Sequence, residues 1–263
     1  MAKPKHTKAK ASAVVPPPPR QAAASATPTT VSWPPFKPQL PVTDLTLETI
    51  TPEKIAVFRS FFPKSLCRDY VSFLSGLPLT TTPGKPKRGM ALRVNDRFQV
   101  DDPAFAHRLW TETGLREAVL DSDLGNLWGG QVVGLNSNIR VYRYCKGHFF
   151  DAHYDDSNIV TVQTPEPAPE ADGDQIQQVQ SQVQAKTTWT LLLYLTSSAE
   201  GCVGGDTVFY PHDRRSAKEA IVVSPETGML LLHRHGDDCL LHEGREVTAG
   251  EKWILRTDLC VKR

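Results

Sequence analysis

The first acidic residue of the chain is Asp44. The stretch before it is dense in proline (Pro16 to Pro19, Pro34, Pro35) and carries lysines at Lys3, Lys5, Lys8 and Lys10. Such a composition cannot bury enough apolar surface to order itself, so residues 1–43 are expected to be a disordered basic tail. A nuclear address or a weak anion-binding arm would suit it, whereas early prolines and scarce arginine disfavour a mitochondrial presequence. Long apolar runs are missing as well. No stretch of about 18 apolar residues exists to span a membrane, and Met1 to Val15 lacks the apolar centre of a secretory signal. Cysteine is sparse: Cys67, Cys145, Cys202, Cys239 and Cys260 are odd in number, scattered and free of any Cys-x-x-Cys pair. That excludes a disulfide framework and a zinc ribbon and fits a reducing compartment, cytoplasm or nucleus. A net excess of one sign of charge is absent too, at +1 with pI near 7.7, so any attraction to nucleic acid or membrane must be local.

What is present is enough apolar material, 40% of 263 residues, for one sizeable core. Order is expected from Asp44. Thr51-Pro52-Glu53 has the signals of a helix start, followed by Ile55, Phe58, Phe61 and Phe62 at helical spacing. A second amphipathic helix is predicted over Lys64 to Leu74 and a third from Asp102-Pro103 through Trp110. These place a helical support region at 44–130, with a turn-rich loop from Pro78 to Lys87. In ALRVNDRFQV strict alternation puts Leu92, Val94, Phe98 and Val100 on one face and Arg93, Asn95, Arg97 and Gln99 on the other. The second face is either a solvated surface or, beside a site mouth, a substrate contact.

Strands then dominate, predicted at Gln131 to Leu135, Ile139 to Tyr144, Phe149 to Asp155, Trp189 to Leu195, Thr207 to Tyr210, Ala220 to Val223, Met229 to His233 and Lys252 to Val261. Short strands with Gly/Pro turns suit a mainly β, two-sheet roll over 131–263. Between Val162 and Lys186 the chain turns acidic, then Gln-rich, without aromatics, and a flexible insertion is expected there.

The chemistry concentrates in NSNIRVYRYCKGHFFDAHYDD. His153 and Asp155 are two residues apart in a strand-like run, hence on one face and about 6 to 7 Å apart, close enough to share a metal. One further imidazole would complete a triad of two histidines and one carboxylate that binds iron(II) and leaves three coordination positions open. His242, in CLLHEGREVTAGEKWILRTD, is the candidate, and Lys252 follows ten residues later in an apolar strand where an ammonium is costly without an anion. Alternation sets Arg256 on the same face as Lys252, with the better bidentate geometry.

The order Tyr144, Gly147, Phe150, His153, Asp155, His242, Lys252 resembles the catalytic domain of prolyl 4-hydroxylase-type iron(II)/2-oxoglutarate-dependent dioxygenases. The stretch Tyr194, Leu195, Gly204, Gly205, Thr207, Phe209 resembles that family's strand pair. The resemblance spans Asn138 to Val261. It implies a double-stranded β-helix (jelly roll), with His153, Asp155 and His242 as metal ligands and Lys252, assisted by Tyr144, as anchor of the 2-oxo acid; Arg256 competes with Lys252 on geometry. It further implies Fe(2+), 2-oxoglutarate and O2, with L-ascorbate as reductant. The reaction implied is hydroxylation of an unidentified protein or small-molecule substrate, a protein prolyl residue included, with release of succinate and CO2. Asp155 distinguishes the chain from halogenating relatives. Ala152 and Tyr210 stand where the family often has proline, and the insertion is unusual; these touch the substrate assignment, not the ligands.

His235 competes with His242 as distal ligand, but the histidine followed by Glu-Gly is His242. His6, His107, His148 and His212 lack metal spacing, and Asp101-Asp102 and Asp237-Asp238 read as turns. Two other functions stay open: an oxidative nucleic-acid demethylase, favoured by the basic tail but not by the HEG-x-x-V-x-x-G-x-KW pattern, and a non-catalytic metal-binding roll.

Overall fold

The computed structural model describes residues 31–37, 45–82, 84, 91–121, 124, 126–165 and 180–263. Most of the expected tail (1–30 and 38–43), the heart of the 78–87 loop and the middle of the insertion (166–179) lie outside them. The strands are β1 (Leu47–Thr51), β2 (Ile55–Phe58), β3 (Thr80–Thr81), β4 (Arg93–Val94), β5 (Asp96–Asp101), β6 (Val132–Leu135), β7 (Asn138–Tyr144), β8 (Phe149–His153), β9 (Ile159–Pro165), β10 (Gln180–Tyr194), β11 (Val203–Gly204), β12 (Thr207–Tyr210), β13 (Ile221–Val223), β14 (Leu230–Arg234), β15 (Leu241–Gly244), β16 (Val247–Ala249) and β17 (Lys252–Lys262). Helices α1 (Lys64–Ser75), α2 (Pro103–Thr111) and α3 (Leu115–Val119) and short 3-10 turns at Ser198–Glu200 and Gly236–Asp238 join them.

A large antiparallel sheet runs β1-β2-β14-β10-β17-β7-β5-β3, with β6 also on β17 and β9 on β10; a smaller one runs β13-β12-β15-β8-β4. β11 pairs with β16 apart from these two, and the fold is thus mainly β, a jelly roll built on the two larger sheets. Strand alternation divides its core. Trp253 and Leu255 of β17, Val141 of β7 and Leu191 and Leu193 of β10 face α1, α2 and α3 and pack with Leu66, Tyr70, Phe105 and Leu109. Their neighbours Ile254, Tyr142, Tyr144, Leu192 and Tyr194 face the small sheet and pack with Phe209 and Val247. Each central strand is covered on both faces, which is why β2 and β14 read as continuous apolar runs. No helix among the described residues is long and apolar enough to cross a membrane.

Four expectations change. Thr51 does not start a helix: Pro52 to Lys54 turn between β1 and β2, and Ile55, Ala56, Val57 and Phe58 are all buried because β2, an inner strand between β1 and β14, is covered on both faces, Phe58 packing in one core cluster and Ile55 and Val57 in the other. The single strand expected over 92–100 divides at Asn95, with β4 joining the small sheet and β5 the large one. The insertion is shorter than 162–186, since β9 and β10 pair from Ile159↔Lys186 out to Pro165↔Gln180, and Val162 and Ala185 pack against Cys260. Finally, residues 31–37 of the expected tail belong to the core. Trp33 stacks on Phe105 at 4.0 Å between centroids, and its Nε1 donates to Asp102 Oδ2 (2.8 Å) while Oδ1 of the same aspartate caps α2 by accepting from Phe105 N (2.9 Å).

One turn depends on glycine. Gly228 has φ +86° and lies so close to Phe62 that an added Cβ would sit 1.9 Å from its carbonyl oxygen, in a pairing where Phe62 N donates to Gly228 O at 3.0 Å. Gly228→Ala must move backbone and adopt a left-handed conformation, so it should cost about 2 kcal/mol or more. The check is a denaturant titration, in which the midpoint falls at unchanged slope.

Candidate active site

The two expected imidazole ligands meet across the small sheet, where His153 on β8 is the register partner of His242 on β15. Their ring centroids are 4.3 Å apart. Each ring is oriented by a carbonyl two residues earlier: His153 Nδ1 donates to Asp151 O at 2.8 Å and His242 Nδ1 to Leu240 O at 2.9 Å. That fixes the tautomer and leaves each Nε2 lone pair facing Asp155, 3.7 Å from Oδ1 for His153 and 3.9 Å from Oδ2 for His242. One ring nitrogen held by a backbone acceptor and the other free is the usual preparation of a metal-binding histidine.

Asp155 follows the end of β8. Burial alone pushes its carboxyl up, but Arg256 and then the histidines hold it well below the usual carboxylate range. Arg256 Nη2 lies 2.9 Å from Asp155 Oδ2, and Thr190 Oγ1 donates to the same oxygen at 2.9 Å. Burial lowers the pKa of His153 and of His242, with the neighbouring His242 adding to the effect at His153. Two neutral imidazoles and an ionised carboxylate, with ligand atoms all within 4.8 Å of one another, are what a dication with mixed N/O preference requires. The donor set therefore fits iron(II).

Lys252 opens β17 facing the small sheet. It is 3% exposed; its Nζ donates to Gly205 O and sits over the rings of Tyr194 (5.2 Å) and Tyr144 (5.7 Å). No carboxylate lies within ion-pair distance of it among the described residues. Burial depresses its pKa to about 8, against a weaker upward pull from Cys202 and Asp206. Gly205 explains one glycine of the Gly204-Gly205 pair: at φ +74°, an added Cβ would lie 3.0 Å from Lys252 Cδ. Tyr144 is buried, and burial pushes its phenol pKa up. The structure thus brings His153, Asp155, His242, Lys252, Tyr144 and Arg256 around one pocket, also walled by Tyr142, Phe150, Leu192 and Ile254.

The two competitors weighed in the sequence, Arg256 and His235, are both engaged elsewhere. Arg256, considered there as a rival anchor for the 2-oxo acid, spends its guanidinium on Asp155 and Asp258. His235, the alternative distal ligand, has both ring nitrogens at 3.0 Å from threonine hydroxyls, Thr190 and Thr187. A further histidine at the site is His233, whose buried Nε2 has no hydrogen-bond partner among the described residues and lies 3.7 Å from Asp155 Oδ2. His233 on β14 and Thr190 on β10 are register partners in the large sheet, a pairing that no local spacing in the sequence supplies.

Residues 139–257 match the family model of the 2OG-Fe(II) oxygenase superfamily. No curated protein matches the chain. Solved structures of similar fold include a viral collagen prolyl hydroxylase from Paramecium bursaria Chlorella virus-1 in complex with 2-oxoglutarate (17% identity, TM-score 0.49, covering 79% of this chain and 96% of that one). A Pseudomonas putida prolyl-4-hydroxylase gives 15% identity and TM-score 0.47 over 80% and 93% of the two chains. HygX from Streptomyces hygroscopicus, with nickel and 2-oxoglutarate bound, gives 16% and 0.48 over 79% and 83%. The segment 139–257, which resembles the 2OG-Fe(II) oxygenase superfamily, carries the whole of the pocket described above.

Proposed function

We propose that the protein is an iron(II)- and 2-oxoglutarate-dependent dioxygenase that hydroxylates a protein residue, prolyl included, or a small molecule, releasing succinate and CO2. One arrangement carries this reading: two tautomer-fixed imidazoles facing an ionised aspartate, beside a buried ammonium with no carboxylate partner among the described residues. His153, Asp155 and His242 would hold the metal, and Lys252 would take the far carboxylate of 2-oxoglutarate, with Tyr144 walling the same pocket. When bound, iron(II) supplies the oxidation by O2 of the 2-oxo acid and then of the substrate.

The chain's own part is to position and to exclude. Arg256 and Thr190 hold the Asp155 carboxylate ionised and fixed in direction. The carbonyls of Asp151 and Leu240 keep the imidazole protons away from the metal side. Tyr142, Phe150, Leu192 and Ile254 give the pocket apolar walls, which strengthens the attraction between Lys252 and an anion by keeping water out. L-ascorbate is the external reductant in this reading. The test is succinate formation from 2-oxoglutarate under air with added iron(II) and ascorbate. A slow release without added substrate is expected; an iron-loaded protein that neither binds nor consumes 2-oxoglutarate would make it a non-catalytic metal-binding roll.

A further inference from the structure

Along the rim between β4, β5 and β7 the positive charge exceeds what the protein itself neutralises. Arg140 reaches Asp258 Oδ2 at 3.3 Å, Arg143 reaches Asp96 Oδ2 at 2.8 Å, and Arg256 is shared between Asp155 and Asp258. Arg93 and Arg97 have no carboxylate within ion-pair distance among the described residues. The Arg97 guanidinium donates to the Gln99 side-chain amide. Arg93 lies over two rings, its Cζ 4.9 Å from the centroid of Phe150 and 5.7 Å from that of Tyr142. Both rings wall the pocket, and Phe150 stacks on the His153 imidazole at 3.6 Å.

Register brings the two arginines to the same place. Arg93 is the partner of Phe150 across β4 and β8, and Arg97 is the partner of Tyr142 across β5 and β7. The division of the strand at Asn95 is what lets one arginine come from each sheet. Burial makes the Arg97 cation costlier than usual; Tyr142 relieves part of that cost, and the charges of Arg93 and Arg140 add to it. Four guanidiniums, Arg93, Arg97, Arg140 and Arg256, therefore face two carboxylates, Asp155 and Asp258. Iron(II) with 2-oxoglutarate would leave that excess unchanged, since a dication and a dianion cancel. A guanidinium half out of water without an anion is disfavoured unless a ligand supplies one.

We propose that Arg93 and Arg97 form the subsite for an oxyanion of the substrate, a carboxylate or a phosphate, so that the oxidised molecule is an anionic one whose apolar part lies against Tyr142 and Phe150. The inference rests on the dioxygenase reading above and deepens it. It follows that a neutral prolyl peptide is a poorer ligand than one bearing an acid next to the reacting residue.

The test uses the full chain, free of oxygen and loaded with iron(II) and 2-oxoglutarate, titrated with benzoate, phenyl phosphate or uncharged benzamide. Binding is read by calorimetry and by perturbation of the metal-to-ligand absorption band. At least one anion should bind about 10-fold or more tightly than benzamide, and the stronger of the two identifies the oxyanion. Arg93→Gln and Arg97→Gln should each remove most of that preference, and added salt should weaken it. Equal affinity for benzamide and both anions, or an Arg97→Gln protein that keeps the parent's preference, overturns the proposal. So does a variant in which 2-oxoglutarate binding falls instead, because the arginines would then belong to the cosubstrate. Failure of the underlying reading looks different: no absorption band forms with 2-oxoglutarate, before any probe is added.

Discussion

Lys252→Ala should weaken 2-oxoglutarate binding by about 30-fold to several thousand-fold, corresponding to the roughly 2–5 kcal/mol lost when one partner of a desolvated charge pair is removed. The expectation follows from an ammonium that is 3% exposed and has Gly205 O and two tyrosine rings, not a carboxylate, around it. Lys252→Met keeps the apolar stem that packs on Gly205 and should show the same loss, which separates the missing charge from a packing defect. Arg256→Ala should act on the metal through Asp155 and leave the 2-oxoglutarate affinity much less affected. Titration of iron-loaded, oxygen-free protein through the metal-to-ligand band measures all three; if Arg256→Ala abolishes the band where Lys252→Ala keeps it, the anchor is Arg256. The same lysine sets a pH dependence. Its pKa of about 8 lies below the ordinary 10.5, so the unfolded chain holds more protons than the folded one between those values. The burial cost is therefore full below about pH 8 and is relieved as pH rises to about 10.5. An anion reverses the balance by favouring the charged form. Affinity for 2-oxoglutarate should consequently fall as pH rises above 8, with a proton taken up on binding, and Lys252→Met should remove that slope.

His242→Ala should lower iron(II) affinity by more than about 100-fold, a larger loss than the 10- to 100-fold typical of residues that only orient ligands. The neighbouring His233 offers the sharpest control, because its Nε2 is as near to Asp155 as the others, at 3.7 Å. Its ring, however, lacks a firm orienting bond, with Nδ1 3.4 Å from Arg234 O, and it has no register pairing with His153 of the kind that sets His242 in place. His233→Ala should thus retain iron within about 10-fold. Anaerobic metal titration of the two variants decides the matter: iron lost with His233 and kept with His242 would exchange their roles.

The grouping of the candidate residues around one pocket was the most legible part of the chain because their spacing is local. His153 and Asp155 share a face by the period of a strand, and Lys252 and Arg256 by the same rule; register supplied the rest. The function of Arg256 was not legible, since nothing in its own strand says that Asp155, a hundred residues earlier, will claim it. Among the elements, α1 and α2 follow from apolar spacing and, for α2, from the Asp102 cap. The Thr51 to Phe58 segment misled for a definite reason: Ile55 and Phe58 fit a helical spacing, while Ile-Ala-Val-Phe equally fits a strand buried on both faces, and only the presence of β14 alongside decides. The flanks of the insertion were misjudged because β9 and β10 extend through glutamine, threonine and valine, polar at every other position and hence bland by composition.

Asp102 joins two tasks, capping α2 and receiving the indole of Trp33, and this has a bearing on where the folded core begins. Shortening the chain to Asp44, the point at which composition turns ordinary, would strip away Trp33 and Phe36 and leave their aromatic partners Phe105, Phe62 and Tyr70 facing water. Each missing ring uncovers roughly 150–250 Å², enough apolar surface to invite self-association. Proteolysis or alternative starts upstream of Val31 would leave that patch covered; the same events a few residues later would make the chain prone to stick to itself without touching a single residue of the candidate site.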